Sequence, residues 1–431
     1  MFEAFDKLPY QGWKDQVEKE LKGKDFQEFL SWDFENLHIP AYLTPECISD
    51  EEKQLGKQTS LLIENKRPSN GWGASQQIVV NNEAKANEEA LIHLSTGVDT
   101  LFFFIHSSST NWKALFANIQ TEILSIHLVL DWSVFDEVLT AIPSDYALQI
   151  WANPCSALLN SGKALDSSKL DALCANSNQV GVWIDASDIK NGGGTVSQEL
   201  EFNLNTGLFF ARIAKEKNAA LSYQFQFALT PNYFVEVAKL RAFTWLWNAL
   251  ASQEISNPWT ATHLSTVGST LFNAVVDEQN NTLRSSTTAL SAILGGSTSH
   301  TVLPHDSSYK ELSFFSARIA NNIHHLLKEE AFMNENTDPV NGSYYIERIA
   351  YSIVQNILKV GISEHFVANL VAGSFQAAVA QKGEEIRQHL ADGTIPFLGV
   401  NLYPNPEDPN IGKEPKSNTK QEGIAPLVFT H

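Results

Sequence analysis

QVGVWIDASDIKNGGGTVSQELEFNLNTGLFFARIAKEKNAALSYQFQF, residues 179–227, contains the pattern that decides the fold. Its two ends, Gln179–Asp185 and Leu221–Phe227, are short runs rich in β-branched and aromatic residues. Between them Ser197–Lys217 repeats apolar residues at three- and four-residue steps, the period of a helix with one buried face. A connection of that length joins parallel strands, because a hairpin needs far less chain. Strand, crossover helix and strand is the repeating unit of an α/β sheet.

The same alternation runs in both directions from this unit. Further strands are predicted at Gln77–Val80, Thr100–Ile105, Ile123–Asp131, Ala147–Asn153, Thr260–Val267 and His300–His305. Helical spacing is clearest at Tyr233–Gln253, Gln279–Leu294 and Ser316–Glu330. Eight strands with crossover helices close a (βα)8 TIM barrel, and 431 residues can hold one as a single domain. The expected organisation is an N-terminal helical arm and extended segment over 1–60, the barrel over 61–403, and a linker-like tail over 404–431. The arm carries Trp13, Val17, Leu21 and Phe26 at near-helical spacing, too few to form a core, so its stripe must dock on its own barrel or on a partner. The tail is rich in Pro, Asn, Lys and Glu.

A net charge of −19, with no basic patch, excludes nucleic acid as an expected partner. Cys47, Cys155 and Cys174 are odd in number and far apart, which indicates neither a disulfide framework nor a zinc knuckle. The N-terminus lacks a secretory pattern and no apolar run approaches a membrane span. A cytoplasmic, soluble protein without membrane contact is expected.

Metal and nucleophile patterns are weak. His324 and His325 are neighbours within a helix and point about 100° apart, so they cannot share an ion from one face. His300 and His305 bound a predicted strand, roughly 16 Å apart at ~3.3 Å per residue. The run Lys190-Asn191-Gly192-Gly193-Gly194-Thr195 follows a strand and opens a helix, as a phosphate loop would, but lacks the GxGxxG order and the GK[ST] ending. Close packing at a βα junction explains it better. No G-x-S-x-G or HExxH occurs, and no metal is expected.

Several strands alternate polar and apolar residues, unlike the apolar runs usual in parallel strands buried on both faces. The polar set is Ser125 and His127, Gln149 and Asn153, Asp185 and Ser187, Gln224 and Gln226, and His263 and Ser265. Pointing inward, these residues make a hydrophilic barrel axis and leave Ile126, Leu128 and Leu130 to face the helices; pointing outward, they must be satisfied there. The inward arrangement is the better one, and it brings Trp151 and Trp183 into the same lumen.

Particular strings carry a family resemblance. Pro231–Trp247 (PNYFVEVAKLRAFTWLW), Leu294–Asp306 (LGGSTSHTVLPHD), Ser316–Ala331 (SARIANNIHHLLKEEA), Thr337–Glu347 (TDPVNGSYYIE) and Phe397–Pro404 (FLGVNLYP) resemble, in that order, the barrel half of the methylmalonyl-coenzyme A mutases. Trp13–Trp32 is similar to the opening of that family's small subunits. The resemblance implies a family that isomerises methylmalonyl- and succinyl-coenzyme A with adenosylcobalamin, held between the barrel and a flavodoxin-like domain. It also accounts for a polar barrel axis as an inherited coenzyme A tunnel.

Three departures identify the kind of member. Laying the family's R-P-W-x-x-R-Q-Y on NGWGASQQ puts Asn70 and Ser75 at the arginine positions and Gln77 at the tyrosine. Counting back from GGTVSQEL puts Asp188 where a substrate-binding histidine stands; an ionised carboxylate cannot donate that hydrogen bond. None of the twelve histidines follows an aspartate by two places, as the cobalt ligand does, and no cobalamin-binding domain is expected in this chain. A naturally short subunit and a chain cut at the linker both remain open. The resemblance therefore implies a non-catalytic small subunit, with no catalytic, cofactor-binding or metal residues of its own. It would form a heterodimer with a homologous catalytic large subunit that binds adenosylcobalamin. Two alternatives stand beside it: a mutase barrel active with a separate cobalamin protein, and a coenzyme A-binding module without chemistry.

Overall fold

The computed structural model describes residues 9–66, 71–159, 164–363 and 365–412. Two short strands, β1 (Ser31–Phe34) and β2 (Leu37–Pro40), form an antiparallel hairpin. Eight parallel strands then close a barrel: β3 (Gly73–Val80), β4 (Thr100–Ile105), β5 (Ser125–Asp131), β6 (Gln149–Asn153), β7 (Val180–Asp185), β8 (Tyr223–Leu229), β9 (Thr262–Gly268) and β10 (Ser299–Thr301). The pairing of β10 with β3 completes the circle. This is the expected TIM barrel.

The principal helices are α1 (Tyr10–Glu20), α2 (Asp50–Lys66), α3 (Ser187–Asn191), α4 (Val196–Glu216), α5 (Tyr233–Ala251), α6 (Asn280–Gly295), α7 (Phe314–His325), α8 (Tyr344–Val360) and α9 (Ser374–Ala391). Local chemistry sets their ends. Thr195 and Gln198 form a reciprocal capping box at the start of α4. At the end of α6, Gly296 takes φ +98°, the left-handed conformation that stops a helix at low cost.

Alternation sorts each strand into two faces. Ile126, Leu128 and Leu130 of β5, Val182 and Ile184 of β7, and Phe225 and Phe227 of β8 join the main apolar core between strands and helices. Phe202, Phe210, Phe243 and Trp247 meet them from α4 and α5. Gly207 of α4 makes that approach possible, since a Cβ there would stand 2.7 Å from Trp247 Cζ3 and 2.8 Å from Phe225 Cζ.

One predicted strand is shorter than expected. The His300–His305 run pairs only through Thr301. The Gln76 side chain takes the Val302 carbonyl at 2.9 Å, and Pro304 has no N–H to donate. His305 accordingly lies beyond the strand, not at its end.

The hairpin and α2 dock on the barrel, whereas the stripe of Trp13, Val17, Leu21 and Phe26 is only half-buried, Trp13 packing on Phe26 and Tyr42 within the arm. Leu37 and Ile39 of the hairpin and Leu55 and Ile63 of α2 are buried, and α2 packs on α5 and α8. Arg348 of α8 holds Glu52 and the Cys47 carbonyl. At the other end, Asp277 N donates to Asp408, and Asn410 Nδ2 to Glu278 Oε2 at 3.1 Å. Among the described residues no helix is long and apolar enough to cross a membrane.

Candidate functional site

Barrel enzymes of this fold place their chemistry at the C-terminal ends of the strands, above an interior filled by side chains. Here several of the polar residues expected to point inward are tied to one another across the lumen, while Ser187 lies beyond the strand in α3 and the buried Gln224 Nε2 has no hydrogen-bond partner among the described residues. Gln77 Nε2 of β3 donates across the barrel to Gln226 Oε1 of β8 at 2.5 Å, and Gln226 Nε2 donates to Asp185 Oδ2 at 2.9 Å. Trp151 Nε1 donates to His127 Nδ1 at 3.0 Å, and the other ring nitrogen of His127 meets Ser125 Oγ at 2.9 Å. His127 is therefore a neutral imidazole with its proton on Nε2. Burial, aided by nearby His263, pushes it down to about 3. Burial, with the Lys66 charge, takes His263 to about 4.

Aromatic rings fill the middle of this lumen. Phe102 of β4 reaches Trp183 of β7 at 5.1 Å, Phe104 reaches the same ring at 5.6 Å, and Trp151 of β6 meets His263 of β9 at 5.8 Å. These partners sit on non-adjacent strands, so the rings span the axis. A Cβ at Gly181 would collide with the Trp151 ring, so the missing side chain gives that ring its place. Both tryptophans are buried, at 3% and 0% exposure. Trp151 and Trp183 thus share the lumen with the polar groups, as alternation predicts.

Asp131 ends β5 at the C-terminal mouth. Burial opposes its charge, but the nearby His106 ring and hydrogen bonds from Ser133 and Ser156 outweigh that and hold its carboxyl well below the usual range. Ser156 Oγ donates straight to Asp131 Oδ2 at 2.7 Å, and His106 Nδ1 stands 3.8 Å from the same oxygen. The serine is bonded to the acid and not to the base, so this is no hydrolytic triad.

The comparisons with known proteins fit this barrel. The family model described as methylmalonyl-CoA mutase matches residues 174–427. The chain belongs to the methylmalonyl-CoA mutase family. It is 29% identical to a "Methylmalonyl-CoA mutase small subunit" of Porphyromonas gingivalis, over 94% of this chain and 71% of that one. A protein of the same name from Streptomyces virginiae is 26% identical over 82% of this chain and 62% of its own length. The "Methylmalonyl-CoA mutase large subunit" of Streptomyces virginiae is 30% identical over 52% of this chain and 32% of its own. The chain thus spans about two thirds of the small subunits it matches. A dipeptide epimerase structure from Enterococcus faecalis aligns at TM-score 0.29 and 11% identity, over 58% of this chain and 61% of its own, too distant to carry an argument.

In this mutase-family barrel, the positions singled out by the resemblance have definite surroundings. Gln77 spends its amide donor on Gln226, and Ser75 Oγ shares a hydrogen bond with Thr301 Oγ1 at 3.0 Å. Asp188 lies half-buried in α3, just past the end of β7. Asn70 lies outside the described residues. Of the four, the structure brings Gln77 and Ser75 to the lumen face of β3.

The histidines resolve differently from their spacing. His324 accepts from Trp72 Nε1 at 3.1 Å, and its ring lies 5.9 Å from that of His300, whose Nδ1 meets Thr266 Oγ1 at 2.9 Å. His325 turns to the Thr96 carbonyl at 3.2 Å. Among the described residues no group of three or more His, Cys, Asp or Glu could hold a metal ion.

Two constellations carry no local sequence signal. At the ends of β7 and β8, Lys239 Nζ lies 2.6 Å from both Glu199 Oε2 and Glu236 Oε2, all three at most 1% exposed. Ala228 N donates to Glu199 and Thr230 to Glu236. Burial is the largest influence on both carboxyls and raises them. Glu199 stays above its ordinary value, while Lys239, Lys190 and Thr230 carry Glu236 below it. The second constellation fills the glycine loop: Glu35, at the tip of the β1–β2 hairpin, accepts from Val196 N at 2.7 Å and from Lys190 Nζ at 3.2 Å. A carboxylate of the same chain occupies the helix start that a phosphate loop would offer.

Proposed function

We propose that this chain is the non-catalytic small subunit of an adenosylcobalamin-dependent methylmalonyl-CoA mutase, pairing with a homologous catalytic large subunit and supporting its assembly and stability. The observation that carries the reading is the lumen closed by rings from opposite strands, Phe102 and Phe104 against Trp183. A thioester chain has no path along an axis so filled. The tyrosine and histidine positions holding Gln77 and Asp188 support the same reading, since neither residue supplies an aromatic ring or, when ionised, a donor to a carbonyl. Gln77 is also already committed to Gln226. These lumen residues do not fit a corrin and an acyl-CoA stacked over the barrel, so the radical chemistry is assigned to the large subunit. Small- and large-subunit relatives from the same Streptomyces virginiae support a two-chain enzyme.

The test is reconstitution. Purified alone with adenosylcobalamin and methylmalonyl-CoA, the chain should give no turnover. Mixed with the large subunit, it should form a heterodimer by light scattering, with an interface above ~2,000 Å². Turnover by this chain alone, or a large subunit that stays monomeric beside it at micromolar concentration, would count against the proposal.

The filled lumen makes a separate prediction. Calorimetric titration of the chain with methylmalonyl-CoA should show no saturable heat. Micromolar binding would overturn the occlusion argument and favour a coenzyme A-binding module.

A further inference from the structure

Residues 187–194 bridge the C-terminal ends of β7 and β9, passing the end of β8 between them. On the β9 side, Asn191 Oδ1 accepts from Ser269 Oγ and Thr270 N, both at 2.9 Å. Below, Ser187 N donates to Asp185 Oδ1 at 2.8 Å and Ala186 N to the Gln226 carbonyl at 3.1 Å. The remaining anchor comes from far away in the chain. Lys190, 3% exposed, gives its ammonium to Glu35 Oε1 and to the Gly194 carbonyl at 3.3 Å. The other Glu35 oxygen takes Val196 N.

Glu35 reaches this position at a cost in backbone conformation. Its φ is +53°, in the left-handed region that disfavours a residue with a Cβ. Charge balance gives the contact its other property. Lys190 also feels Glu236 and Glu199, which share Lys239. With Glu35 withdrawn, Lys190 keeps the longer-range attraction of Glu236 and Glu199, so its ammonium is not left without any counter-charge.

We propose that the N-terminal hairpin is a reversible latch: the Glu35 carboxylate pins residues 187–194 over the C-terminal mouth of the barrel. Displacing the hairpin frees this strap and uncovers the Asp185–Gln226 pair beneath it. The latch couples docking of the arm to closure of the barrel face where sites of this fold are built.

Hydrogen exchange on the full chain tests the latch, comparing the parent with Glu35→Gln, which keeps the side-chain shape, and Glu35→Ala. Gly192, Gly193 and Gly194 donate their amides to Asp188, Lys190 and Ile189 within the strap. In both variants these amides should exchange about tenfold faster or more. Val182 and Tyr223, whose amides are bonded between barrel strands, should keep their protection. Unchanged exchange in the strap would overturn the latch. So would a loosening spread equally over strap and strands, which would make Glu35 a general staple of the fold.

Discussion

Acidification from pH 7 to pH 4 is expected to unfold the chain steeply, with its midpoint above pH 4. Five histidines, four of them buried and His263 half-buried, are held in neutral form, and desolvation is the main cause in each. His93 and His263 are pushed down to about 4, His127 and His300 to about 3, and His324 well below its ordinary value. The sign follows from proton counts. Above the unfolded value near 6.5 both states are neutral and stability is complete; below it the unfolded chain binds protons that the folded chain refuses. Stability is therefore lost as pH falls from about 6.5 toward the folded values. Each histidine removes roughly 1.4 kcal/mol per pH unit in that window, and five remove roughly 7 kcal/mol per unit at most. A protein of ordinary stability holds only about 5–15 kcal/mol in total. Circular dichroism against pH checks this, with His127→Gln expected to make the fall shallower. A cooperative fold retained at pH 4 with undiminished resistance to denaturant would contradict it.

Lys239→Met is expected to destabilise the chain by about 3–5 kcal/mol, because it leaves Glu199 and Glu236 buried without their shared counter-ion. The methionine fills the volume of the lysine stem, so little of the loss comes from a cavity. Charge is the cause, and the remedy should show it. In a triple variant that adds Glu199→Gln and Glu236→Gln, the amide oxygens can still accept from Ala228 N and Thr230, and most of the loss should return. Urea unfolding of the three proteins measures the difference. A single variant within about 1 kcal/mol of the parent would mean that the two carboxyls shed their charge by protonation instead of bearing the loss.

Local pattern explains where elements begin and end. Seven of the eight strands predicted from composition runs start within two residues of the observed ones, and Thr100–Ile105 coincides with β4. The clearest helices behave similarly, Tyr233–Gln253 being observed as Tyr233–Ala251. The two largest errors lie at the seam of the barrel. β3 begins at Gly73, four residues before the predicted start, because Gly73, Ala74 and Ser75 have little strand preference and are held by pairing with β10. β10 is short because a side chain from β3 takes its next carbonyl. Neither cause is local, and a reading by local preference misses both.

The sequence by itself determined the barrel, the two faces of its strands and the family. Periods of two and 3.6 residues are properties of consecutive positions, and the family strings are contiguous. The chain alone likewise singled out Gln77 and Asp188 as expected departures from the family strings. Only the tertiary structure decided which side chains meet across it. Glu35 finds Lys190, His300 finds His324, and Lys239 gathers Glu199 and Glu236 because closing the barrel and docking the arm bring distant residues together. Alternation shows that Trp183 points inward, but only the curvature of a closed sheet sets its distance from Phe102 and so fills the axis.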